Sequence, residues 1–300
     1  MIKNKRILLV DGENILHQSF HKFEKLKSTD GKPSGAIYGF FKSLHMYITR
    51  FNPDRVYVTF DNGHSKFRDS LNPDYKSHRK NIAYDYDSLI SQKVVIKRIL
   101  SMLRISYIYD KYNTTDYEGD DFLAYLCLHF RKNNKVTIVS SDKDFNQLID
   151  SHVKIYNPRK DDIVYNSTCK KLFGYTPEET VDYLCLVGDS SDDIKGFPGM
   201  GPVKTRKFLD IYGSIDKALK SLTYTDKEAL SEVYERNRKM IDLVWFTKEF
   251  PLTWDKLPIK QHGVRKINRK RFKDLCIEYS FVSFMTNEFI QPFENLLTNV

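Results

Sequence analysis

Short apolar runs alternate along this chain with longer stretches in which apolar residues recur every three or four positions. The runs cover residues 6–10, 56–60, 107–109, 136–139 and 153–156. Unbroken hydrophobicity suits strands buried on both faces, so these runs predict a mostly parallel sheet. Between them, Ile37, Phe40, Phe41, Leu44 and Ile48 keep helical spacing, as do Leu89, Ile96, Ile99, Leu100 and Leu103. Phe122, Leu123, Leu126, Cys127 and Phe130 form a third such face. Strands alternating with amphipathic helices predict an α/β domain.

Two regions depart from this rhythm. Residues 62–87 mix Lys66, Arg68, Lys76, Arg79 and Lys80 with Phe67, Tyr75, Tyr84 and Tyr86, without a clear apolar stripe. A stretch this long inside a compact domain is usually a functional loop or a moving element. Beyond about Cys169 the strand signals fade and helices take over. Pro177 starts a helical segment that runs to about Val187. Gly196-Phe197-Pro198-Gly199-Met200-Gly201-Pro202 then leads into another helix to Tyr212, with Gly213 as its stop.

Composition narrows the setting. The chain has 300 residues, enough for one large domain and a smaller one. No segment approaches the roughly 18 apolar residues of a membrane span. The basic start leads directly into an apolar run without a small-residue cleavage site, so no signal peptide is expected. Cys127, Cys169, Cys185 and Cys276 are far apart and show no zinc spacing, which fits a reduced, cytoplasmic protein. A net charge of +9, from 48 Lys and Arg against 39 acids, suggests a polyanionic partner.

The acids carry more information than the excess of base. Three expected strands end in aspartate, at Asp11, Asp61 and Asp142. In open α/β sheets the chemistry collects beyond the carboxyl ends of the strands. One such aspartate is an ordinary cap or turn residue; three on neighbouring parallel strands would converge. Glu118-Gly119-Asp120-Asp121 opens a helix with three further acids, and Asp142-Lys143-Asp144 repeats the crowding. Asp189 and Asp192 are three apart, on one face of any helical turn. Clustered carboxylates repel each other unless a cation compensates them. An all-oxygen set without His or Cys favours Mg²⁺ or Mn²⁺ over zinc, and acids enough for two ions suggest two-metal phosphoryl transfer.

These motifs together resemble the 5′-nuclease, or flap endonuclease, family. That family includes the 5′→3′ exonuclease domain of bacterial DNA polymerase I and its free-standing bacterial and phage relatives. The resemblance runs from Ile7-Leu8-Leu9-Val10-Asp11-Gly12 and Pro33-Ser34-Gly35-Ala36 through Phe60-Asp61, Phe67-Arg68 and Tyr75-Lys76 with Arg79. It continues in Tyr117-Glu118-Gly119-Asp120-Asp121, Ser141-Asp142-Lys143-Asp144-Phe145, Gly188-Asp189-Ser190-Ser191-Asp192 and Gly196-Phe197-Pro198-Gly199-Met200-Gly201. Gly119, where many relatives have Ala, and Asp193, where Asn is usual, are the visible departures.

The resemblance implies a PIN-like α/β nuclease domain over residues 1–168, with a helical arch at about 62–88, and a helix-hairpin-helix domain over 169–300. It implies that Asp11, Asp61, Glu118, Asp120, Asp121, Asp142, Asp144, Asp189 and Asp192 bind two Mg²⁺ ions, with Mn²⁺ able to substitute. Lys76 and Arg79 would meet the scissile phosphate once the arch orders around a 5′ end. Tyr75 would stack on unpaired bases. Gly199, Gly201, Lys204 and Lys207 would grip duplex DNA, with K⁺ a further expectation at the hairpin. A basic run at 265–273 extends that surface or is simply a solvated face. The implied protein is a monomer acting on DNA 5′ ends, flaps and nicks in replication and repair, with no membrane partner. Two alternatives stay open: a branched-DNA-binding protein without catalysis, and an RNA-processing nuclease on a similar sheet.

Overall fold

The computed structural model of the chain describes residues 4–61, 63, 65–77, 85–112, 114–221, 224–260 and 266–298. Six strands precede the helical part: β1 (Arg6–Asp11), β2 (Arg55–Thr59), β3 (Ser106–Ile108), β4 (Lys135–Val139), β5 (Val153–Asn157) and β6 (Asp162–Val164). A small hairpin follows from β7 (Gly188–Asp189) and β8 (Ile194–Lys195), and β9 (Ile259–Lys260) comes late in the chain. The main sheet has seven strands in the order β6-β5-β4-β1-β2-β3-β9. Its five inner strands are parallel, whereas β6 and β9 close the edges antiparallel to β5 and β3. The apolar runs of the sequence are these inner strands.

The helices are α1 (Gly12–Lys22), α2 (Gly35–Phe51), α3 (Lys66–Leu71), α4 (Tyr86–Met102), α5 (Gly119–Phe130), α6 (Asn166–Phe173) and α7 (Thr180–Val187). Then come α8 (Pro202–Tyr212), α9 (Ile215–Lys220), α10 (Lys227–Ile241), α11 (Leu243–Glu249), α12 (Arg269–Glu278) and α13 (Asn287–Thr298). Pro202 opens α8 and Gly213, at φ +76°, ends it, as the sequence anticipates.

Side chains of one strand point to opposite faces, and this sorts the core into two layers. Ile7 and Leu9 of β1 face α5 and the helices of the second half of the chain. Leu8 and Val10 face α1, α2 and α4. Each fully buried aliphatic chain here contributes about 1.5–3 kcal/mol of hydrophobic stabilisation. Phe272, Phe281, Phe284, Phe289 and Phe293 join the second layer, so α12 and α13 pack back on α2 and α4. The four cysteines are buried and free.

β1 and β4 are neighbours although two strands, β2 and β3, lie between them in sequence. The chain runs outward from β1 through β2 and β3, then crosses back to β4 and runs outward through β5. Connections on the two sides of such a switch point leave a crevice at the carboxyl ends of the central strands. The candidate site lies there.

Candidate active site

The strand ends deliver the first acids. Asp11 closes β1 and caps α1, accepting from the Asn14 backbone N–H at 3.0 Å. Its other oxygen accepts from the Ser140 hydroxyl, at the end of β4, at 2.7 Å. Asp61 follows β2 and accepts from the Gly119 N–H at 2.5 Å, which joins the β2 end to the start of α5. A methyl group on Gly119 would lie 2.6 Å from that same carboxylate oxygen, so Ala here would move Asp61. The Gly-for-Ala difference is therefore more than a change of size. Asp142 and Asp144 continue from β4 into a 3-10 turn, where Asp142 accepts from the Asp144 N–H at 2.9 Å.

These acids, with Asp120 at the start of α5, are brought together and left without enough positive charge. Burial pushes the Asp11 carboxyl up to about 7, and Asp61 and Asp142 add repulsion. Burial likewise raises Asp120 well above the usual range, with Asp11, Asp142 and Asp61 as the repelling neighbours. Asp144 is raised well above its ordinary value by burial and by Asp142, Asp189 and Asp192. Burial raises Asp142 too, with repulsion from Asp192 and Asp189. Asp189 and Asp192, from the β7–β8 hairpin, thus meet the strand-end acids across the crevice. Lys143 reaches Asp189 at 3.2 Å.

The other acids of α5 are compensated. Glu118 is 4% exposed, yet its carboxyl is held down near pKa about 2: burial raises it, but Lys76 and Arg68 outweigh burial. It accepts from Lys76 Nζ at 2.9 Å and from the Tyr75 hydroxyl at 2.8 Å. Asp121 has both oxygens engaged by Arg68, at 2.7 Å each. The resemblance puts Asp121 among the metal ligands; in the structure both of its carboxylate oxygens accept from Arg68.

The segment expected to form the arch lies partly on this site. Its base, α3, is anchored by Asp116, which accepts from the Lys66 and Phe67 N–H groups at 2.6 and 3.1 Å. Tyr75 and Lys76 are turned inward and are 5% exposed. Lys76 also comes within 4.0 Å of Asp192. Arg79 lies outside the described residues. Asp193 has φ +56° and its carbonyl accepts from the Asn72 side chain at 3.0 Å. Asn and Asp both adopt that left-handed backbone more readily than most residues, so Asp193 keeps the turn that the usual Asn would make.

The Gly199–Gly201 turn ahead of α8 is open. Gly199, at φ +78°, and Gly201, which precedes α8, have no atom within 4 Å of where a Cβ would stand. Lys204 and Lys207 are exposed on α8. Of the basic run, Arg269 is committed to Glu294 through two bonds of 2.7 and 2.6 Å.

The acids suit hard divalent cations. The donor set is all oxygen, and the Asp144 Oδ1 is buried without any hydrogen-bond partner. Such an orphaned acceptor is costly unless a cation or water meets it. Among the described residues no three acids already stand close enough to grip one ion. Like charges that lack a counterion separate as far as packing allows.

Arg68, Ser140, Asp116 and the pair Lys93–Glu13 at 2.7 Å also shape the site, and sequence reasoning assigns none of them a role. A buried arginine leaves no mark in a stretch already rich in cations. Only the apolar neighbours Phe67 and Leu71, at helical spacing around it, hint that this turn is covered.

Comparison with known proteins agrees with this arrangement. The 5′–3′ exonuclease N-terminal resolvase-like domain matches residues 6–174, and the family's C-terminal SAM fold matches residues 175–266. A 5′–3′ exonuclease of Aquifex aeolicus is 33% identical over 270 residues, covering 89% of this chain and 91% of its own length. The thermostable DNA polymerase I of Thermus aquaticus is 31% identical over 241 residues, 80% of this chain but 28% of the polymerase. The T5 5′-exonuclease with bound zinc has the same fold, at a TM-score of 0.68 and 17% identity, covering 92% of this chain and 100% of that one. A bacteriophage T5 flap endonuclease in a pseudo-enzyme–product complex with DNA and metal ions matches equally well. No helix among the described residues is long and apolar enough to cross a membrane. The chain belongs to the 5′–3′ exonuclease family.

Proposed function

We propose that this chain hydrolyses DNA phosphodiester bonds at 5′ ends, flaps and nicks, using two Mg²⁺ ions for which Mn²⁺ can substitute. The observation that carries the reading is the meeting of Asp11, Asp61, Asp120, Asp142 and Asp144 with Asp189 and Asp192 in one buried crevice. Five of these, Asp11, Asp61, Asp120, Asp142 and Asp144, have carboxyls pushed up by burial first and then by neighbouring acids, which for Asp61 are Glu13 and Glu118 acting against the pull of Lys76. These acids, with Glu118, would hold the ions. Divalent ions bound there supply Lewis acidity and an activated water for attack on phosphorus.

The protein's own groups do the rest. Lys76 neutralises Glu118 in the free enzyme and, carried by the arch segment, can transfer its charge to the scissile phosphate when a 5′ end arrives. Tyr75 would leave Glu118 in the same movement and stack on an unpaired base. Arg79 is assigned to the phosphate beside Lys76. The open backbone at Gly199 and Gly201 admits a duplex phosphate, with Lys204 and Lys207 flanking it. A K⁺ ion at this hairpin, a monomeric state and a cytoplasmic site of action complete the reading. The division into a nuclease part, 1–168, and a helix-hairpin-helix part, 169–300, belongs to it as well.

The test is end-labelled cleavage of flap, nicked, blunt and single-stranded DNA with Mg²⁺, with Mn²⁺ and with EDTA. Cutting near the 5′ end or the branch, absent in EDTA, is expected. Binding to branched DNA without metal-dependent cutting would leave a non-catalytic binder.

A further inference from the structure

Within the acid-rich start of α5, two adjacent aspartates meet opposite surroundings. Residues next to each other on a helix point about 100° apart, so Asp120 and Asp121 do not both face the crevice. Asp120 has Asp11, Asp61 and Asp142 as its charged neighbours. Asp121 is 0% exposed, and its carboxylate contacts lie on Arg68 and the Glu118 backbone. Its Oδ1 accepts from Arg68 Nη2 at 2.7 Å, and its Oδ2 from Arg68 Nη1 at 2.7 Å and from the Glu118 N–H at 2.9 Å.

Arg68 itself is 2% exposed, and all three of its guanidinium nitrogens have acceptors. Besides the bidentate pair, Nη1 lies 3.5 Å from Glu118 Oε2, and Nε donates to the Met240 carbonyl at 3.1 Å. The guanidinium is stacked on the Phe246 ring, 4.5 Å from its centroid. One side chain on α3 therefore touches the first turn of α5, the end of α10 and the body of α11. A planar guanidinium bound in this fork is a geometric constraint that a lysine cannot reproduce.

We propose that Asp121 is not a metal ligand but, with Arg68, a positioning pair. It fixes the first turn of α5, so that Glu118 and Asp120 face the ions at a set angle, and it ties that turn to the helices behind the hairpin. Asp121 holds the Glu118 backbone through the helix cap while Arg68 holds Asp121. Removing the pair would leave the ions bound and the reacting groups misaligned. This rests on the metal-dependent reading above, but the deciding measurement needs no cleavage.

The experiment titrates Mn²⁺ into the full DNA-free chain by calorimetry, comparing wild type, Asp120→Asn and Asp121→Asn. If Asp121→Asn does not fold, Arg68→Met combined with Asp121→Leu removes both buried charges and takes its place. Asp120→Asn should lose one ion from the binding stoichiometry, whereas the Asp121 variant should keep both ions, weakened by no more than the roughly 10–100-fold that loss of an outer partner costs. Arg68→Lys should then slow single-turnover cleavage about tenfold at saturating Mn²⁺, with the affinities for Mn²⁺ and DNA unchanged. Loss of one ion from the stoichiometry with Asp121→Asn, as with Asp120→Asn, would make Asp121 a ligand and overturn the proposal. An Arg68→Lys protein that cuts at the normal rate would overturn it too, by showing that the pair only stabilises the fold. If wild type binds Mn²⁺ but cuts no 5′-ended DNA, the functional reading fails while the titration still decides Asp121.

Discussion

Glu118 and Asp120 are two residues apart and both lie within the crevice, yet their carboxyls shift in opposite directions. Glu118, on the arch side, is pulled down to about 2 with Lys76 and Arg68 against it. Asp120, on the sheet side, is pushed well up among other acids. Burial acts the same way on both, so burial does not decide the outcome. The supply of counter-charge does. The arch-side half has Lys76 and Arg68 within reach of its carboxylates, whereas the sheet-side acids outnumber the Lys143 and the more distant Lys76 set against them. Under the proposed function, that imbalance is what metal ions would relieve, and Lys76 is the group that would leave.

The largest expected effect follows from emptying the sheet side of an acid. Asp120→Asn or Asp144→Asn should lower cleavage by about 10³ or more, since a bound ion is lost from the reacting centre. Without metal these variants should melt no lower than wild type, because a repelling charge is gone. Adding Mn²⁺ at about a hundred times its dissociation constant should stabilise wild type by about 2.7 kcal/mol and these variants far less. A full melting response in either variant would contradict the split between the halves.

The next effect comes from the arch side. Arg68→Met leaves Asp121 buried and uncompensated, which should cost about 3–5 kcal/mol in urea unfolding of the metal-free protein. Stability near that of wild type would show that this half does not depend on its own cation. Lys76→Ala sharpens the contrast differently. Single-turnover cleavage of bound flap DNA should slow by about 10²–10³ with little change in the dissociation constant. A normal rate at saturation would reduce Lys76 to a partner of Glu118. The smallest effect is expected from residues in neither half. Lys204→Ala or Lys207→Ala should weaken duplex binding for all sequences alike and flatten the salt slope by about one. An unaltered slope would remove these lysines from the interface.

Much of this was legible in the chain. The inner strands follow directly from unbroken apolar runs, and α2, α4, α5 and α8 from periodicity and end signals. The edge strands β6 and β9 were not. They are three and two residues long and carry polar side chains, so they pair only because a neighbouring edge is already in place. The strand-end aspartates could be recognised because parallel strands end on one side of a sheet. That Asp121 pairs with Arg68 could not, because Arg68 comes from a segment without periodicity. The return of α12 and α13 to the sheet was equally hidden, since their aromatic residues show what is buried but not against which layer.

The pairing of Tyr107 and Ile108 on β3 with Ile259 and Lys260 on β9 has a mechanical consequence. The helices α7 to α11 leave the sheet after β6 at one edge and return to it through β9 at the opposite edge. They are therefore a span moored at both banks rather than an arm on a single joint. A span can twist about the line between its moorings but cannot swing away. Pulling on DNA held at the hairpin would load both edges of the sheet together, across the strands whose ends carry Asp11, Asp61 and Asp142.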